Sequence, residues 1–447
     1  MLILINPGGR SQIYQGLGQE LTAIEQPLWC RLIAGYIRDK GHRVEIIDAE
    51  AGDLSSETVA NLVVSKEPRL IGIIAAGHQP SASTQQMAPA SEICKAIKEI
   101  SDIPIIIAGG HVTVLPERTL KEEAVDYVAI GEGAITIERL LANDKLSTIP
   151  GLAWSVFKNP SPSLMKTEEL HGNTWDLLPM ELYRAHNWQT DQRQPYASIY
   201  TSLGCPYKCS FCCISAPFGG SGYRTRKPED VVNEVKFLHD EYGIKTFKIT
   251  DEMFVLKPSH YLPICEGLAE LDYDFNIWCY ARIDTVKPKT LKLLRKAGIQ
   301  WLALGIESGS EYVRDGADKS LNEKDIYNIV KAIQAADIKV LGNFIYGLPD
   351  DTHESMQATL DLAMNLKCNF VNFYSAMAYP GSQLYKTTKQ TDLPDHWSGY
   401  SQHSQDCKPL PTETLTSAEV LKFRDEAHCR YFSGYDIGQP LKRDLYD

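Results

Sequence analysis

Four cysteines lie close together near the middle of the chain, in the stretch TSLGCPYKCSFCC (201 to 213). Three of them, Cys205, Cys209 and Cys212, have the spacing C-x3-C-x2-C. This spacing is too tight for the paired knuckles of a structural zinc site, and no fourth, separated thiol accompanies it. Three thiolates on one loop can hold three irons of a cubane iron-sulfur cluster and leave the fourth iron open to an external ligand. We expect Cys213, which directly follows Cys212, to point elsewhere and pack in the core.

The surrounding elements are predicted to place these cysteines at the end of a strand. Apolar segments alternate with helical patterns from residue 197 to residue 384, and the first apolar segment, ASIYTSL, runs directly into the cysteines. Six repeats of strand then helix predict a partial (β/α)6 barrel resembling a TIM barrel. In such barrels the chemistry gathers at the carboxyl ends of the strands. The five later strands are predicted at TFKITDEMF, FNIWCYARID, WLALGIESGS, KVLGNFIYGLP and NFVNFYSAMAYPG.

Residues 1–145 show an earlier alternation of strands and helices. The strands are apolar throughout, as in LILIN (2 to 6) and LIGIIAA (70 to 76), which predicts a parallel sheet covered by helices on both faces. This is the pattern of a doubly wound, Rossmann-like α/β domain. No GxGxxG follows the first strand and no P-loop is present, which argues against a dinucleotide site.

The loops that end these strands are rich in glycine and small hydroxyl residues. They read NPGG (6 to 9), GHQPSAST (77 to 84), GGHVTVLPE (109 to 117) and GEG (131 to 133). Ligands of doubly wound sheets bind at this edge, and glycine lets a large ligand approach the backbone. The alternative is that the glycines only end the strands. His78 and His111 are candidate metal ligands, although a lone loop histidine more often makes hydrogen bonds.

Composition limits the surroundings and partners of the protein. A net charge of −12, from 45 Lys plus Arg and 57 Asp plus Glu, gives no chain-wide field to attract nucleic acid. The apolar runs are far shorter than the roughly 18 to 20 residues that span a bilayer, and MLILINPGGR does not resemble a signal peptide. An odd count of 11 cysteines in a long chain argues against a disulfide framework. We expect a cytoplasmic protein without membrane or nucleic-acid partners.

Two further segments complete the predicted organisation. Residues 146–196 carry few periodic runs and are predicted to be a linker with a small hairpin. Residues 385–447 contain a predicted helix, TSAEVLKFRDEAHCRYF, capped by Thr416 or Ser417. We expect this helical carboxyl-terminal segment to cover the barrel mouth, and selection of the substrate is the alternative.

The cysteine motif resembles the signature of the radical S-adenosylmethionine superfamily. That signature is CxxxCxxC, formed here by Cys205, Cys209 and Cys212, with the usual aromatic residue, Phe211, before the last cysteine. The stretches GGHVTVLPE, GEGAITIERLL and RTRKPEDVVNEVKFL resemble the branch that carries an amino-terminal cobalamin-binding domain. The resemblance extends over nearly the whole chain.

This resemblance implies three cofactors: a four-iron, four-sulfur (4Fe-4S) cluster on the three cysteines, S-adenosylmethionine (SAM) on the open iron, and cobalamin. It implies that one electron splits SAM and yields a 5'-deoxyadenosyl radical, which abstracts hydrogen from an unactivated carbon. It also implies SAM contacts at the strand ends, where the Arg282 guanidinium could pair with the SAM carboxylate. The candidate SAM-binding residues are Phe211, Asp251, Glu252, Arg282, Glu307, Ser308 and Asn343.

For the first domain, the resemblance implies cobalamin on the loops at the strand ends. The DxHxxG motif that supplies an axial histidine is absent, so we expect cobalamin to bind without histidine coordination. Arg224 and Arg226 could orient an anionic cofactor group, or pair with surface acids. The candidate cobalamin-binding residues are Asn6, Pro7, Gly8, Gly77, His78, Gln79, Ser81, Ser83, Gly109, Gly110, His111, Thr113, Gly131, Glu132 and Gly133.

The resemblance favours a methyltransferase that uses methylcobalamin and the radical to methylate an unactivated carbon of a small molecule or peptide. The expected electron donor is a flavodoxin or ferredoxin. A cyclase or ring-rearranging enzyme with the same cofactors is the alternative. A methylthiotransferase would need three cysteines in the first domain, which offers only Cys30 and Cys94. A non-catalytic corrinoid and iron-sulfur protein is the alternative from another class.

Overall fold

Two parallel sheets and a carboxyl-terminal helical segment make up the fold. The computed structural model describes residues 1–14, 16–77 and 82–433. This architecture confirms the predicted α/β class, with a doubly wound domain followed by a partial barrel. Within the described part of the chain, the helices are too short or too polar to cross a bilayer.

The first sheet has seven strands, and the first five are parallel. In chain order they are β1 (Leu2–Asn6), β2 (Val44–Asp48), β3 (Leu70–Ile74), β4 (Ile105–Ala108), β5 (Tyr127–Ala129), β6 (Leu152–Trp154) and β7 (Phe157–Lys158). The spatial order is β2-β1-β3-β4-β5-β6-β7. The hairpin of β6 and β7 joins β5 in antiparallel orientation. The strand order reverses between β1 and β3, which is where doubly wound sheets bind their ligands.

Helices cover both faces of this sheet. They are α1 (Arg10–Ile13), α2 (Gly16–Leu21), α3 (Leu28–Asp39), α4 (Ser56–Val64), α5 (Ala82–Gln85), α6 (Met87–Ile100), α7 (Gly110–Val114), α8 (Pro116–Glu122) and α9 (Ala134–Leu141). Ile33 of α3 and Ile137 of α9 pack in one buried cluster. Val59 of α4 and Ile93 of α6 pack in another, on the opposite face. Burial on both sides explains why the strands are apolar without alternation.

The second domain is a six-stranded parallel sheet with a small ribbon. The strands of this part are β8 (Tyr196–Ile199), β9 (Ser202–Leu203), β10 (Arg224–Thr225), β11 (Thr246–Ile249), β12 (Asn276–Arg282), β13 (Ile299–Glu307), β14 (Lys339–Tyr346) and β15 (Phe370–Ser375). The spatial order is β15-β14-β13-β12-β11-β8, while β9 and β10 pair separately and antiparallel. The cysteine motif lies in the loop that joins β9 to β10.

Helices surround the barrel and continue into the carboxyl-terminal segment. They are α10 (Pro228–Tyr242), α11 (Pro258–Glu270), α12 (Leu291–Lys296), α13 (Glu311–Gly316), α14 (Glu323–Ala335), α15 (His353–Leu366), α16 (Gln383–Thr387) and α17 (Ser417–Tyr431). Proline at the first position of α10 and Gly243 after its last residue mark its two ends. As predicted, Thr416 caps α17, in a capping box with Glu419.

The first domain also contributes to the barrel edge at β8. The amide of Gln26 donates to Tyr196 O at 2.8 Å and accepts from Ser198 N at 2.8 Å, so its side chain pairs with β8 as a short strand would. The preceding residue, Glu25, is buried and binds Lys248 of β11 at 2.9 Å. The two domains therefore share hydrogen bonds next to the strand that leads to the cysteines.

Candidate functional site

The cysteine loop presents three partly exposed thiols on one tight turn. The backbone N–H of Cys212 donates to Cys209 O at 3.0 Å, and Cys205, Cys209 and Cys212 are all partly exposed. Burial raises the pKa of Cys205 to about 11 and that of Cys212 well above the usual thiol value. The thiols are therefore protonated at neutral pH, and metal binding must displace their protons.

The geometry suits a cluster better than a single ion. Among the residues that the structure describes, no three His, Cys, Asp or Glu side chains converge closely enough to hold one metal ion. A structural zinc site needs four converging donors, whereas a cubane cluster with one open iron needs three thiolates, each on a different iron. Three partly exposed cysteines on one loop supply this donor set.

Cys213 packs in the core, as the sequence predicts. It is 5% exposed and contacts an apolar cluster that includes Met377, Tyr379 and Leu421 from the carboxyl-terminal part of the chain. Burial raises the pKa of Cys213 to about 12. A thiol in this environment stays protonated and acts as a small apolar side chain.

The two acids after β11 have different surroundings. Asp251 is buried and accepts hydrogen bonds from Thr201 N at 2.6 Å, Thr201 Oγ1 at 2.5 Å and Ser202 Oγ at 2.5 Å. It thereby fixes the chain just before the cysteine loop. Glu252 makes no ion pair with another described residue, and burial raises its pKa to about 8. Of the two acids, Glu252 has the carboxyl group that remains available to a ligand.

Arg282, the last residue of β12, contacts the cysteine loop. Its Nη1 lies 3.7 Å from Cys209 Sγ, and its guanidinium carbon lies 3.8 Å from the ring centroid of Tyr207. Asp284 binds the other side of the same group. Burial raises the pKa of Cys209, and the charges of Lys319 and Arg282 oppose that rise. The strand end therefore brings positive charge to this thiol.

The candidate SAM-binding residues on β13, directly after β13 and on β14 have different partners. Glu307 is bound by the buried Lys319, and Asn343 accepts from Asn372 Nδ2 at 3.0 Å. Ser308 instead contacts α15, with its Oγ 3.1 Å from Thr359 Oγ1. Ser308 is thus placed toward the helix layer.

Gly309 also serves the packing of α15. A side-chain carbon placed at Gly309 would lie 2.4 Å from Ala358 O, a distance that side-chain carbons do not adopt. Glycine is therefore required for the close approach of α15 at this turn. Phe211 is partly buried and packs against two apolar clusters, one containing Leu348 and the other Leu384.

We call the loops after β1, β3, β4 and β5 the rim loops; they comprise residues 6–9, 77–84, 109–117 and 131–133. Small hydroxyl side chains connect the last three of these loops. Ser83 Oγ donates to Ala75 O at 2.5 Å and accepts from His111 N at 2.9 Å. Thr113 Oγ1 accepts from Gly131 N at 3.0 Å. The sequence predicts that residues 131–133 belong to this edge. It does not predict that residues 110–114 form the helix α7.

His111 is buried between the rim and the carboxyl-terminal segment. Its Nδ1 lies 3.1 Å from Thr84 Oγ1, and its ring packs edge-to-face on Trp397 with centroids 4.3 Å apart. Burial lowers the pKa of His111 to about 3, so the imidazole is neutral at physiological pH. The guanidinium carbon of Arg118 also lies over the Trp397 ring, 4.2 Å from the ring centroid.

A cavity lies between the rim loops and the cysteine loop. Its lining includes Gly77, Ser83, Gly110 and His111 of the first domain and Ser202, Cys213 and Glu252 of the second. A narrower cavity beside it is lined by Gly109, Gly110, Gly131 and Glu132, and a third is lined by Asn6 and Gly77. Gly131 has a φ of +92°, and the nearest atom to a side-chain carbon placed there would be 3.8 Å away. The backbone of the rim is thus lined by glycines and faces the turn after the cysteines across these cavities, which fits a cobalamin site between the two domains.

The other predicted rim residues take part in turns or lie outside the described residues. Asn6 Nδ2 donates to Asp48 Oδ1 at 2.8 Å. Pro7 and Gly8 follow it in the same turn, and Gly133 directly precedes α9. His78, Gln79 and Ser81 lie outside the described residues.

Sequence reasoning missed that both arginines after the cysteine loop have buried partners. Arg224 Nη2 lies 2.6 Å from Glu132 Oε1 in the rim. Arg226 Nη1 lies 2.6 Å from Glu234, which also binds Arg31 of α3 at 3.0 Å. No sequence signal identifies Glu132 as the partner of Arg224, since the two residues are 92 positions apart. Neither arginine is therefore free to bind an anionic cofactor group.

Comparison with known proteins agrees with both domains. A family model of the B12 binding domain matches residues 14–141, and a model of the Radical SAM superfamily matches residues 199–363. An uncharacterized methyltransferase of Pyrococcus horikoshii is 29% identical over 100% of this chain and 95% of its own length. The anaerobic magnesium-protoporphyrin IX monomethyl ester cyclase of Rubrivivax gelatinosus is 25% identical over 83% of this chain and 68% of its own.

Two solved structures share the fold. The radical SAM methyltransferase TsrM from Kitasatospora setae, with cobalamin and a [4Fe-4S] cluster bound, superposes with a TM-score of 0.68 at 19% identity, over 86% of this chain and 73% of its own. The cobalamin-dependent radical enzyme OxsB superposes with a TM-score of 0.69 at 15% identity, over 97% of this chain and 66% of its own. At these identities the likeness establishes the fold.

The two matched domains together with the geometry of the cysteine loop define the class of protein. A B12 binding domain and a radical SAM domain imply cobalamin, a 4Fe-4S cluster and SAM as cofactors. The chain belongs to the radical S-adenosylmethionine superfamily of enzymes, in the branch that carries an amino-terminal cobalamin-binding domain.

Proposed function

We propose that this enzyme is a methyltransferase that transfers a methyl group from cobalamin to an unactivated carbon of a small molecule or peptide. One observation carries the proposal: a single cavity is lined both by the glycine-rich rim and by residues beside the three-cysteine loop. A methyl donor on the rim and a radical source on the loop would therefore act on the same substrate. One relative that matches the full length of the chain is named an uncharacterized methyltransferase.

The residues of the cysteine loop would hold and position the radical source. Cys205, Cys209 and Cys212 would bind three irons, and Asp251 would keep the preceding strand end fixed through Thr201. When bound, the cluster supplies the electron that splits SAM, and methylcobalamin supplies the methyl group. Among the SAM contacts proposed from the sequence, Glu252 is best supported, because it lines the shared cavity and has an unpaired carboxyl group.

The rim loops would hold cobalamin through backbone and small side chains. Gly77, Ser83, Gly110 and His111 line the shared cavity, and His111 is already bound by Thr84 and Trp397. These contacts support the expectation that the histidine positions the rim and does not coordinate cobalt. Pro217 lies 3.6 Å from the position of a side-chain carbon at Gly110, so the turn after the cysteines closes directly over the rim.

The carboxyl-terminal segment would exclude water from this cavity. Tyr379, just before this segment, accepts a hydrogen bond from Gln85 Nε2 at 3.2 Å and donates to Tyr400 O of the segment at 3.0 Å. Trp397 packs on His111 at the rim. The segment therefore contacts the first domain and the cysteine loop together. These contacts favour a packed cover over a segment that selects the substrate.

A cyclase reaction with the same cofactors is the second candidate. The observation that favours it is the similarity to the magnesium-protoporphyrin IX monomethyl ester cyclase of Rubrivivax gelatinosus over 83% of this chain. Such a reaction would consume SAM as a radical source without using its methyl group.

Two other activities have less support in the described structure. A methylthiotransferase would need a second cluster in the first domain, but Cys30 and Cys94 are fully buried and lie in separate apolar clusters. A non-catalytic corrinoid protein would give no functional reason for the buried charges at the ends of β12 and β13.

We further infer that a flavodoxin or ferredoxin supplies the electron and that the enzyme works in the cytoplasm. All eleven cysteines are free thiols, which agrees with a reducing compartment.

The test is anaerobic reconstitution with iron, sulfide and cobalamin, followed by incubation with SAM, a strong reductant and candidate substrates. A methyltransferase forms S-adenosylhomocysteine and 5'-deoxyadenosine in pairs, because SAM both recharges cobalamin and supplies the radical. Formation of 5'-deoxyadenosine with a modified substrate but without S-adenosylhomocysteine would assign the cyclase reaction. Absence of both products would exclude both enzymes.

A further inference from the structure

The guanidinium group of Arg282 lies directly against the cysteine motif. Its Nη1 is 3.7 Å from Cys209 Sγ, which is within hydrogen-bonding range of a sulfur acceptor, and the residue is 6% exposed. The sequence predicts that Arg282 binds the SAM carboxylate. Its contact with a cluster cysteine indicates a different task, one that does not require SAM.

Neighbouring residues hold the guanidinium in this orientation. Asp284 accepts from Arg282 Nε at 3.0 Å and from Nη2 at 3.3 Å. The ring of Tyr207, in the cysteine loop, stacks on the guanidinium at 3.8 Å. Thr285 Oγ1 accepts from Arg282 N at 3.2 Å and donates to Arg282 O at 3.0 Å, which fixes the strand end. Nη1 is therefore left as the donor directed at Cys209.

A permanent positive charge beside a cluster thiolate affects electron uptake. The reduced cluster carries one more negative charge than the oxidised cluster, so a nearby cation and an N–H donor to sulfur stabilise the reduced form more. Guanidinium does not lose its proton at physiological pH. We propose that Arg282 donates a hydrogen bond to the Cys209 thiolate of the bound cluster and raises the cluster's reduction potential, while Tyr207 and Asp284 hold it in place.

This proposal depends on the cluster and not on the fate of the methyl group. It therefore stands or falls separately from the proposed methyl transfer. It also differs from SAM binding, since a hydrogen bond to Cys209 acts on the cluster before SAM is present. A measurement of the cluster without SAM, cobalamin or substrate isolates the effect.

The experiment is a redox titration of the full-length protein, reconstituted anaerobically with iron and sulfide and followed by the EPR signal of the reduced cluster. The variants are Arg282→Gln and Arg282→Lys. The matched control is Arg295→Gln, which removes a comparable arginine from a two-contact pair with Asp337 on the exposed surface. We expect a more negative midpoint for Arg282→Gln, a smaller negative shift for Arg282→Lys, and no shift for the control.

An unchanged midpoint in Arg282→Gln at normal iron content would overturn the proposal, and a loss of SAM affinity alone would assign the residue to the carboxylate. If Arg282→Gln does not bind iron, the proposal is tested with Arg282→Lys and Tyr207→Leu. Both variants keep a positive charge at this position but no longer hold it in the orientation found here. Negative shifts in these two variants support the proposal. Wild-type midpoints in both contradict it.

Discussion

Arg224 and Glu132 form an ion pair across the boundary between the two domains, with Nη2 and Oε1 2.6 Å apart. Glu132 belongs to the last rim loop, and Arg224 lies on β10, just after the cysteine loop. The second oxygen of Glu132 accepts a hydrogen bond from Met165 N at 2.8 Å. The Glu132 carboxylate is therefore held by a backbone N–H as well as by Arg224. The rim and the strand that follows the cysteine loop are thus joined by an ion pair between a buried carboxylate and a partly buried guanidinium.

Removal of this pair should loosen the cobalamin site. In Glu132→Gln, Arg224 loses its partner in a largely buried position, and we expect a loss of about 1.5–3 kcal/mol in unfolding free energy together with weaker binding of hydroxocobalamin. Urea unfolding and titration of the corrinoid absorbance measure the two effects. Asp337→Asn, which breaks the exposed pair with Arg295 away from the rim, is the control. Wild-type affinity in Glu132→Gln would show that the pair does not organise the rim.

The three motif cysteines should be separable from their neighbour by iron content. Replacement of Cys205, Cys209 or Cys212 by Ala should abolish the cluster absorbance and the formation of 5'-deoxyadenosine, because each thiolate would bind a different iron. Cys213→Ala should retain both, since Cys213 is buried among apolar side chains. Iron analysis after anaerobic reconstitution provides the measurement. Loss of iron in Cys213→Ala would mean that the ligand set is assigned wrongly.

Glu252 should make the stability of the metal-free protein depend on pH. Burial raises its pKa from an ordinary 4.5 to about 8, so the folded state favours the neutral carboxyl group. Its contribution to stability is complete below about pH 4.5 and is lost as the pH rises through about 8. As the pH rises from 5 to 8, the melting temperature of the wild type should therefore fall relative to that of Glu252→Gln.

The control for this prediction is Glu266→Gln, on the exposed side of α11. Its melting temperature should follow that of the wild type at each pH. A constant difference between Glu252→Gln and the wild type across this range would show that Glu252 is already ionised in the folded protein.

The buried network around Glu234 should be important for stability. Glu234 accepts from Arg31 at 3.0 Å and from Arg226 at 2.6 Å, and all three side chains are buried. Glu234→Ala leaves two guanidinium groups without a counter-ion, which should cost about 3–5 kcal/mol. The urea midpoint measures this loss. Asp176→Ala, which breaks the exposed pair with Arg38, should change it little, and equal midpoints in the two variants would contradict the prediction.

The sequence predicts the elements well where the pattern is local. The helix expected in TSAEVLKFRDEAHCRYF is α17 (Ser417–Tyr431), and the three-cysteine spacing identifies the loop without any structure. The partners of the charged residues, by contrast, do not follow from any local pattern. Arg224 and Glu132 are 92 positions apart, and no periodicity relates them, because their contact depends on how two domains dock.

Residue type alone also could not separate neighbours with the same chemistry. Asp251 and Glu252 are adjacent acids, yet one is fully bound to Thr201 and Ser202 and the other is unpaired. Likewise, Ser308 is one residue from Glu307 but contacts α15. At a strand end, successive side chains point to opposite faces, and the turn after the strand decides which of them reaches the cavity.

The central claim is tested most directly by the substrate-free half of the reaction. The reconstituted enzyme with bound cob(I)alamin is incubated with SAM that carries a CD3 methyl group, and the corrinoid is then released and weighed by mass spectrometry. A cobalamin-dependent methyltransferase should yield CD3-cobalamin with an equal amount of S-adenosylhomocysteine, while 5'-deoxyadenosine forms only when the three motif cysteines are intact. Unlabelled cobalamin, with 5'-deoxyadenosine still formed, would contradict methyl transfer by this protein.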